Sequence, residues 1–178
     1  MAIVTLTTDF GYKDYYAAAV KGTLYSLFPE IKIEDISHGI SKYNILEAAF
    51  VLKNAYRHFP KGSIHIIGVM THTRVAIKER EKNLEAVDHV ALEYDGHYFI
   101  GADNGIFSYL LDFAPDKVFT LSVQKDTAKE SFPTKDVFAK AAAHIARGGT
   151  LEVLGSSRDS LNQGDIVQAR SEGENIRG

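Results

Sequence analysis

Between Ile3 and Val69 the chain alternates between two periodicities, and that alternation constrains the fold more than any other feature. Ile3-Val4-Thr5-Leu6 opens a β-branched, apolar run, and Lys13 to Phe28 then carries apolar residues at helical spacing as far as Pro29. Proline disfavours helical geometry in the residue before it. Ile31 to Ile36 alternates as a strand does. Tyr43 to Phe59 places Ile45, Ala48, Ala49, Leu52 and Tyr56 on one stripe, and Ser63 to Val69 is apolar enough to lie inside a sheet. Strand, helix, strand, helix, strand predicts an α/β fold, a mostly parallel central sheet flanked by helices with right-handed crossovers.

Beyond Val69 the pattern breaks until Asp88, and the charge run Lys78 to Asn83 reads as a solvated loop or short surface helix. His89 to Tyr94, Asp95-Gly96 and His97 to Ile100 predict a β-hairpin, because Asp-Gly supplies the positive φ angles of a two-residue turn. A short helix through Leu111, a strand from Lys117 to Val123 and a helix from Lys135 to Arg147 follow, the last ended by Gly148-Gly149. The tail from Ser156 is polar, so the expected division is an α/β domain over 1–155 and a linker over 156–178.

The formal charge of −3 over 178 residues gives no reason to propose nucleic acid, whose binders carry a basic face. Without cysteine there is no disulfide, thiolate nucleophile or cysteine-bound zinc. The chain enters a strand with no charged and apolar leader, and no apolar run is long enough to span a membrane, so the expected location is the cytoplasm.

If the strands lie as predicted, four turns point toward one edge of the sheet: Asp9, Asp35 to His38, Met70 to Arg74, and Asp103-Asn104. In open α/β sheets ligands collect outside the carboxyl ends of the strands, so these turns are the expected site. Asp9 has two readings, a ligand-facing carboxylate or a cap for the helix that follows. Two aspartates, two histidines and an asparagine also fit a metal that activates water for phosphoester hydrolysis, although no compact ligand spacing is present. Asp9-Phe10-Gly11 matches a kinase triplet, yet the glycine-rich loop and catalytic loop of kinases are missing.

Several stretches carry a resemblance over nearly the whole chain. They are Leu6 to Gly11 with Asp14 and Lys21-Gly22; Ile33 to Ile40 leading into Glu47-Ala48-Ala49-Phe50; Phe59 to His65; Tyr98 to Gly105; and Phe132 with Asp136 to Ala139 and Ala141 to His144. In content and order they resemble the adenosyl-fluoride and adenosyl-chloride synthases and their relatives, the S-adenosylmethionine (SAM) hydroxide adenosyltransferases, or adenosine-forming SAM hydrolases. The resemblance implies an N-terminal α/β domain whose β-barrel-like partner domain is absent from this chain, with Gly173 to Gly178 as its lead-in. It implies a homotrimer when that domain is present, SAM bound between subunits, and neither metal nor other cofactor. The implied reaction is substitution at the ribose C5′, giving adenosine or 5′-halo-adenosine and methionine. The implied substrate contacts are Asp9 on the ribose hydroxyls, with Phe10, Tyr43, Met70, Asn104 and Phe132.

The catalytic loops depart from the family pattern. Hydroxide-transferring members carry an Asp-Pro-Gly-Val-Gly-Thr type loop, an arginine after it, and a His-Gly-Arg-Asp run. Here Met70 stands at the aspartate position, the loop reads Thr71-His72-Thr73-Arg74, and the second run reads Pro133-Thr134-Lys135-Asp136. Thr73 and Thr134 fall where halide-using members place hydroxyl donors, and Tyr43 and Phe132 where they place aromatic walls. His72 as a base and Arg74 as an anion holder are the candidates to replace the missing groups. His65 and His144 read as packing residues, and His58, His89 and His97 as surface residues. The expected activity is thus a SAM-dependent adenosyl transfer to water or halide. The rivals are a non-catalytic adenosyl-binding module and a metal-dependent phosphoesterase.

Overall fold

The computed structural model describes residues 2–71, 87–122 and 132–164, together with the backbone of 170–172 and 175–177. The expected elements form: β1 (Ile3–Thr8), α1 (Tyr16–Leu27), β2 (Lys32–Ser37), α2 (Ile45–Ala55), β3 (Ile64–Gly68), β4 (His89–Tyr94), β5 (His97–Ala102), α3 (Ile106–Leu110) and β6 (Lys117–Leu121). A π-helical turn at Thr134–Phe138 runs into α4 (Ala139–Ala146), and β7 (Gly155–Ser157) completes the sheet. A separate hairpin pairs β8 (Arg170–Glu172) with β9 (Asn175–Arg177). No described helix is long and apolar enough to cross a membrane.

Seven strands lie in the order β2-β1-β3-β5-β4-β6-β7. The pairs β1–β2, β1–β3 and β3–β5 are parallel, whereas β4–β5, β4–β6 and β6–β7 are antiparallel. The sheet is therefore mixed, parallel where helices connect strands and antiparallel from the hairpin onward. Asp95 and Gly96 both have positive φ (50° and 68°), as a tight Asp-Gly turn requires.

Period-two alternation sorts the core onto both faces. Val4, Leu6, Ile64, Ile66 and Ile100 pack under α1 and α4 with Val20, Leu24, Phe138 and Ala142. On the other face Ile67, Val69, Val90, Leu92 and Phe99 meet α2 and α3 through Ala48, Leu52, Tyr56 and Phe107. Because α1 and α2 cover opposite faces, the chain leaves β1 toward β2 on one side and returns to β3 on the other. The strand order reverses between β1 and β3, and a crevice opens at their carboxyl ends.

Two expectations about side chains are corrected. His89 and His97, read as surface residues, are buried at 2% and 1% exposure, since both lie on strands inside the sheet. His65 Nδ1 meets Thr5 Oγ1 at 2.7 Å, and its Nε2 meets His97 Nδ1 at 3.2 Å. At the start of the segment read as a linker, β7 extends to Ser157, and Arg158 and Asn162 engage the buried Asp103.

Candidate functional site

A hollow of about 210 Å³ lies at the β1/β3 crevice, lined by Asp9, Phe10, Tyr16, Lys42, Tyr43, Gly68, Met70, Thr71, Phe132 and Pro133. Five of the six residues expected to contact substrate, Asp9, Phe10, Tyr43, Met70 and Phe132, are on its wall. Sites that bury a small organic ligand measure roughly 300–1,000 Å³, so the described residues build part of such a site.

Asp9 is 7% exposed, and its Oδ2 accepts the Tyr43 N–H at 2.9 Å. The capping reading does not hold, because α1 begins at Tyr16 with Tyr15 as its first flanking residue and no side-chain cap. The intervening chain turns at Gly11 (φ 74°), whose N–H donates to His38 O at 2.7 Å. Asp9 thus ties the end of β1 to the segment before α2. Asn44 caps that helix by accepting the Glu47 N–H, while Glu47 Oε2 accepts the Ser41 N–H, each at 3.0 Å.

Tyr43 (φ 62°) and Met70 (φ 50°) adopt left-handed backbone, which non-glycine residues seldom do outside turns and functional sites. The Met70 loop is anchored from below: Asn104 Nδ2 donates to Val69 O and Met70 O at 3.2 and 3.1 Å, and His89 Nε2 lies 3.0 Å from Thr71 O. Asn104, an expected substrate contact, is not among the residues lining the hollow. Its amide instead positions Met70.

An aromatic corner closes one side. Phe10 and Phe132 stand 5.3 Å apart edge-on, and Tyr16 packs 5.2 Å from Phe132 and 5.8 Å from Phe10. The sequence reading missed Tyr16, although an aromatic in the first turn of the helix after Asp9 was the available signal. At the floor, Gly68 permits a close approach. A Cβ there would stand 2.9 Å from Thr8 Cγ2, 3.1 Å from Thr134 Oγ1 and 3.2 Å from Phe10 Cζ. Thr134 is fully buried in the π-helical turn, a distortion frequent at functional sites, and its hydroxyl has no hydrogen-bond partner among the described residues. His72, Thr73 and Arg74 lie outside the described residues.

The other polar turns hold the framework. His38 Nδ1 meets Thr8 Oγ1 at 2.6 Å, and its Nε2 lies 3.0 Å from Asp35 Oδ1. Burial opposes ionisation of Asp35, but the Lys21 hydrogen bond at 2.5 Å and His38 hold its carboxyl below the usual range. Asp103 accepts the Asn162 N–H on both oxygens, at 2.9 and 3.0 Å, and Arg158 Nη2 stands 2.8 Å away. Burial still pushes the Asp103 carboxyl up, against Asn162 and Arg158. Asp35, His38, Asp103 and Asn104 are therefore committed to different partners, and the described residues contain no group of three or more potential metal ligands.

Residues 4–155 match the family model described as the SAM hydroxide adenosyltransferase N-terminal domain. Similar characterised proteins include an (R)-S-adenosyl-L-methionine hydrolase of Methanocaldococcus jannaschii, 32% identical over 80% of this chain and 52% of that protein. Another of the same name from Thermus thermophilus is 29% identical over 87% of this chain and 61% of its own length. A fluorinase of an Actinoplanes species is 23% identical over 93% and 60%. The chain thus spans little more than half of these relatives. Among solved structures, an uncharacterised conserved protein of Thermotoga maritima superposes with a TM-score of 0.80 at 21% identity, over 99% of this chain and 65% of that one. A conserved hypothetical protein of Thermus thermophilus gives 0.71 at 29% identity, over 93% and 63%.

Proposed function

This chain belongs to the SAM hydroxide adenosyltransferase family, and from that premise we propose that it binds SAM and serves substitution at the ribose C5′. The products are methionine and either adenosine or a 5′-halo-adenosine. The observation that carries this reading is the convergence of Asp9, Phe10, Tyr43, Met70 and Phe132 in one hollow at the point where strand order reverses.

Asp9 holds the ribose. Its carboxylate is fixed by one backbone N–H and retains acceptor capacity for hydroxyls. The leaving group is a sulfonium that departs neutral, so it needs no general acid. What the site must supply is a nucleophile in line with the C–S bond and shielded from bulk water. The aromatic corner of Phe10, Tyr16 and Phe132 supplies shielding, and the buried Thr134 hydroxyl, beside Gly68 and without a hydrogen-bond partner among the described residues, supports a role as donor to water or halide. The remaining wall is expected from a second domain of a neighbouring subunit in a trimer.

Incubating the protein with SAM, with and without chloride, and separating adenosine, 5′-chloroadenosine and methionine by chromatography tests the proposal. Methionine should appear with one nucleoside product, persist with a chelator, and disappear in Asp9→Asn. Asparagine still offers Tyr43 an acceptor, so its loss of activity would report the charge. A second reading is a non-catalytic adenosyl-binding module, favoured by Met70, whose thioether cannot take a proton from water. It predicts binding in calorimetry without either product.

A further inference from the structure

His38 grips the turn that carries Asp9 from outside the hollow. Its Nδ1 meets Thr8 Oγ1 at 2.6 Å, its carbonyl accepts the Gly11 N–H at 2.7 Å, and its N–H donates to the Tyr12 hydroxyl at 3.3 Å. Asp9 and Phe10, both on the wall of the hollow, lie between the first two of these contacts. His38 itself is 2% exposed and is not a lining residue. Its Nε2 stands 3.0 Å from Asp35 Oδ1, within ion-pair reach but outside hydrogen-bond geometry, and Asp35 Oδ2 pairs with Lys21 at 2.5 Å. A ring nitrogen beside a carboxylate carries the proton, because a bare lone pair there would face negative charge. In the neutral ring Nδ1 is then left to accept the Thr8 O–H. The hydroxyl lone pairs are left for the Phe10 N–H, a long contact at 3.4 Å.

We infer that His38 is a positioning residue: through the Thr8 hydroxyl and the Gly11 N–H it sets the Asp9-Phe10 turn, so that Asp9 meets the ribose and Phe10 shields the reacting carbon. The inference rests on the functional reading above. In such a substitution the nucleophile, C5′ and sulfur must stay in line, and about 1 Å of displacement can cost on the order of a hundredfold in rate. The turn is clamped from its other side by the Tyr43 N–H, 2.9 Å from Asp9 Oδ2. Packing alone would ask only for a group of this size, seated edge-on to the Tyr12 ring with centroids 5.8 Å apart. It would not ask for a polar atom aimed at Thr8.

Turnover of SAM by the chain and by His38→Leu, His38→Asn and Thr8→Val decides the matter, with melting temperatures to establish that each variant is folded. Leucine fills the site without an acceptor, whereas asparagine puts an amide oxygen where Nδ1 stands. His38→Leu and Thr8→Val should each lower kcat about tenfold and change KM by less than about threefold, as displaced but intact groups do. His38→Asn should restore most of kcat, and should bring no such benefit over His38→Leu when Thr8→Val is also present. Equal kcat in the two His38 variants, or an unchanged kcat in Thr8→Val, overturns the inference and leaves the functional reading in place. Should His38→Leu fail to fold, Thr8→Val, which keeps the side-chain volume, decides by the same criterion. If the chain binds SAM without turning it over, calorimetric affinity replaces kcat in these comparisons, with losses of about fivefold expected, the scale of one hydrogen bond. A chain that neither binds SAM nor forms product removes the functional reading, and this inference with it.

Discussion

Thr134 is the residue whose place in the fold is hardest to explain by stability alone. Its buried hydroxyl has no partner among the described residues, which costs about 1–3 kcal/mol, and valine would fill the same volume without that cost. Thr134→Val should therefore hold the melting temperature or raise it by about 2–4 °C. If the hydroxyl donates to the nucleophile, the same variant should lose about tenfold or more in kcat. Measuring both on one preparation separates the roles, and an unchanged kcat would remove Thr134 from the mechanism. At this scale Asp9 was legible from its place after an apolar strand. Lys42 and Gly68 were not, because a charged residue in a polar turn and a glycine at a strand end are common and nothing local marks them.

At the scale of elements, β3 joins the ligand crevice to a buried polar seam. His65, between Thr5 and His97, has its pKa pushed down to about 3 by burial and then by the neighbouring imidazole. His97 is lowered too, by burial and by Lys61, against the opposing charge of Asp95. A native base with a depressed pKa stabilises the fold above its unfolded pKa near 6.5 and loses that contribution as pH falls. The unfolded chain then binds the proton and the native one does not. For His65 alone, stability should fall by about 1.4 kcal/mol per pH unit from about pH 6.5 toward pH 3. Urea midpoints across that range check it, and His65→Gln should show a shallower slope. The strand itself was evident in the sequence, and His65 was correctly read as buried. His97 was misread, because the hairpin was visible but not that its β5 arm would lie between β3 and β4.

For the whole molecule, the segment after the last sheet strand is locked onto β5 through Asp103. Arg158→Ala leaves a buried carboxylate with, among the described residues, the Asn162 contacts alone, and should cost roughly 1–3 kcal/mol by urea denaturation. Arg158→Lys should cost less. A variant without any loss would show that the lock contributes nothing to folding. Periodicity and turn chemistry act between near neighbours, so the sequence alone determined β1 to β6, the helices, the Asp-Gly hairpin and the fold class, but not the short β7, β8 and β9. Which carboxylate faces the crevice was a different matter. Asp9 and Asp103 directly follow β1 and β5, Asp35 lies in the last half of β2, and their partners set them apart: Tyr43 for the first, Lys21 and His38 for Asp35, Arg158 and Asn162 for Asp103. Several of those contacts join residues dozens of positions apart, so only tertiary packing decided which carboxylate lines the crevice.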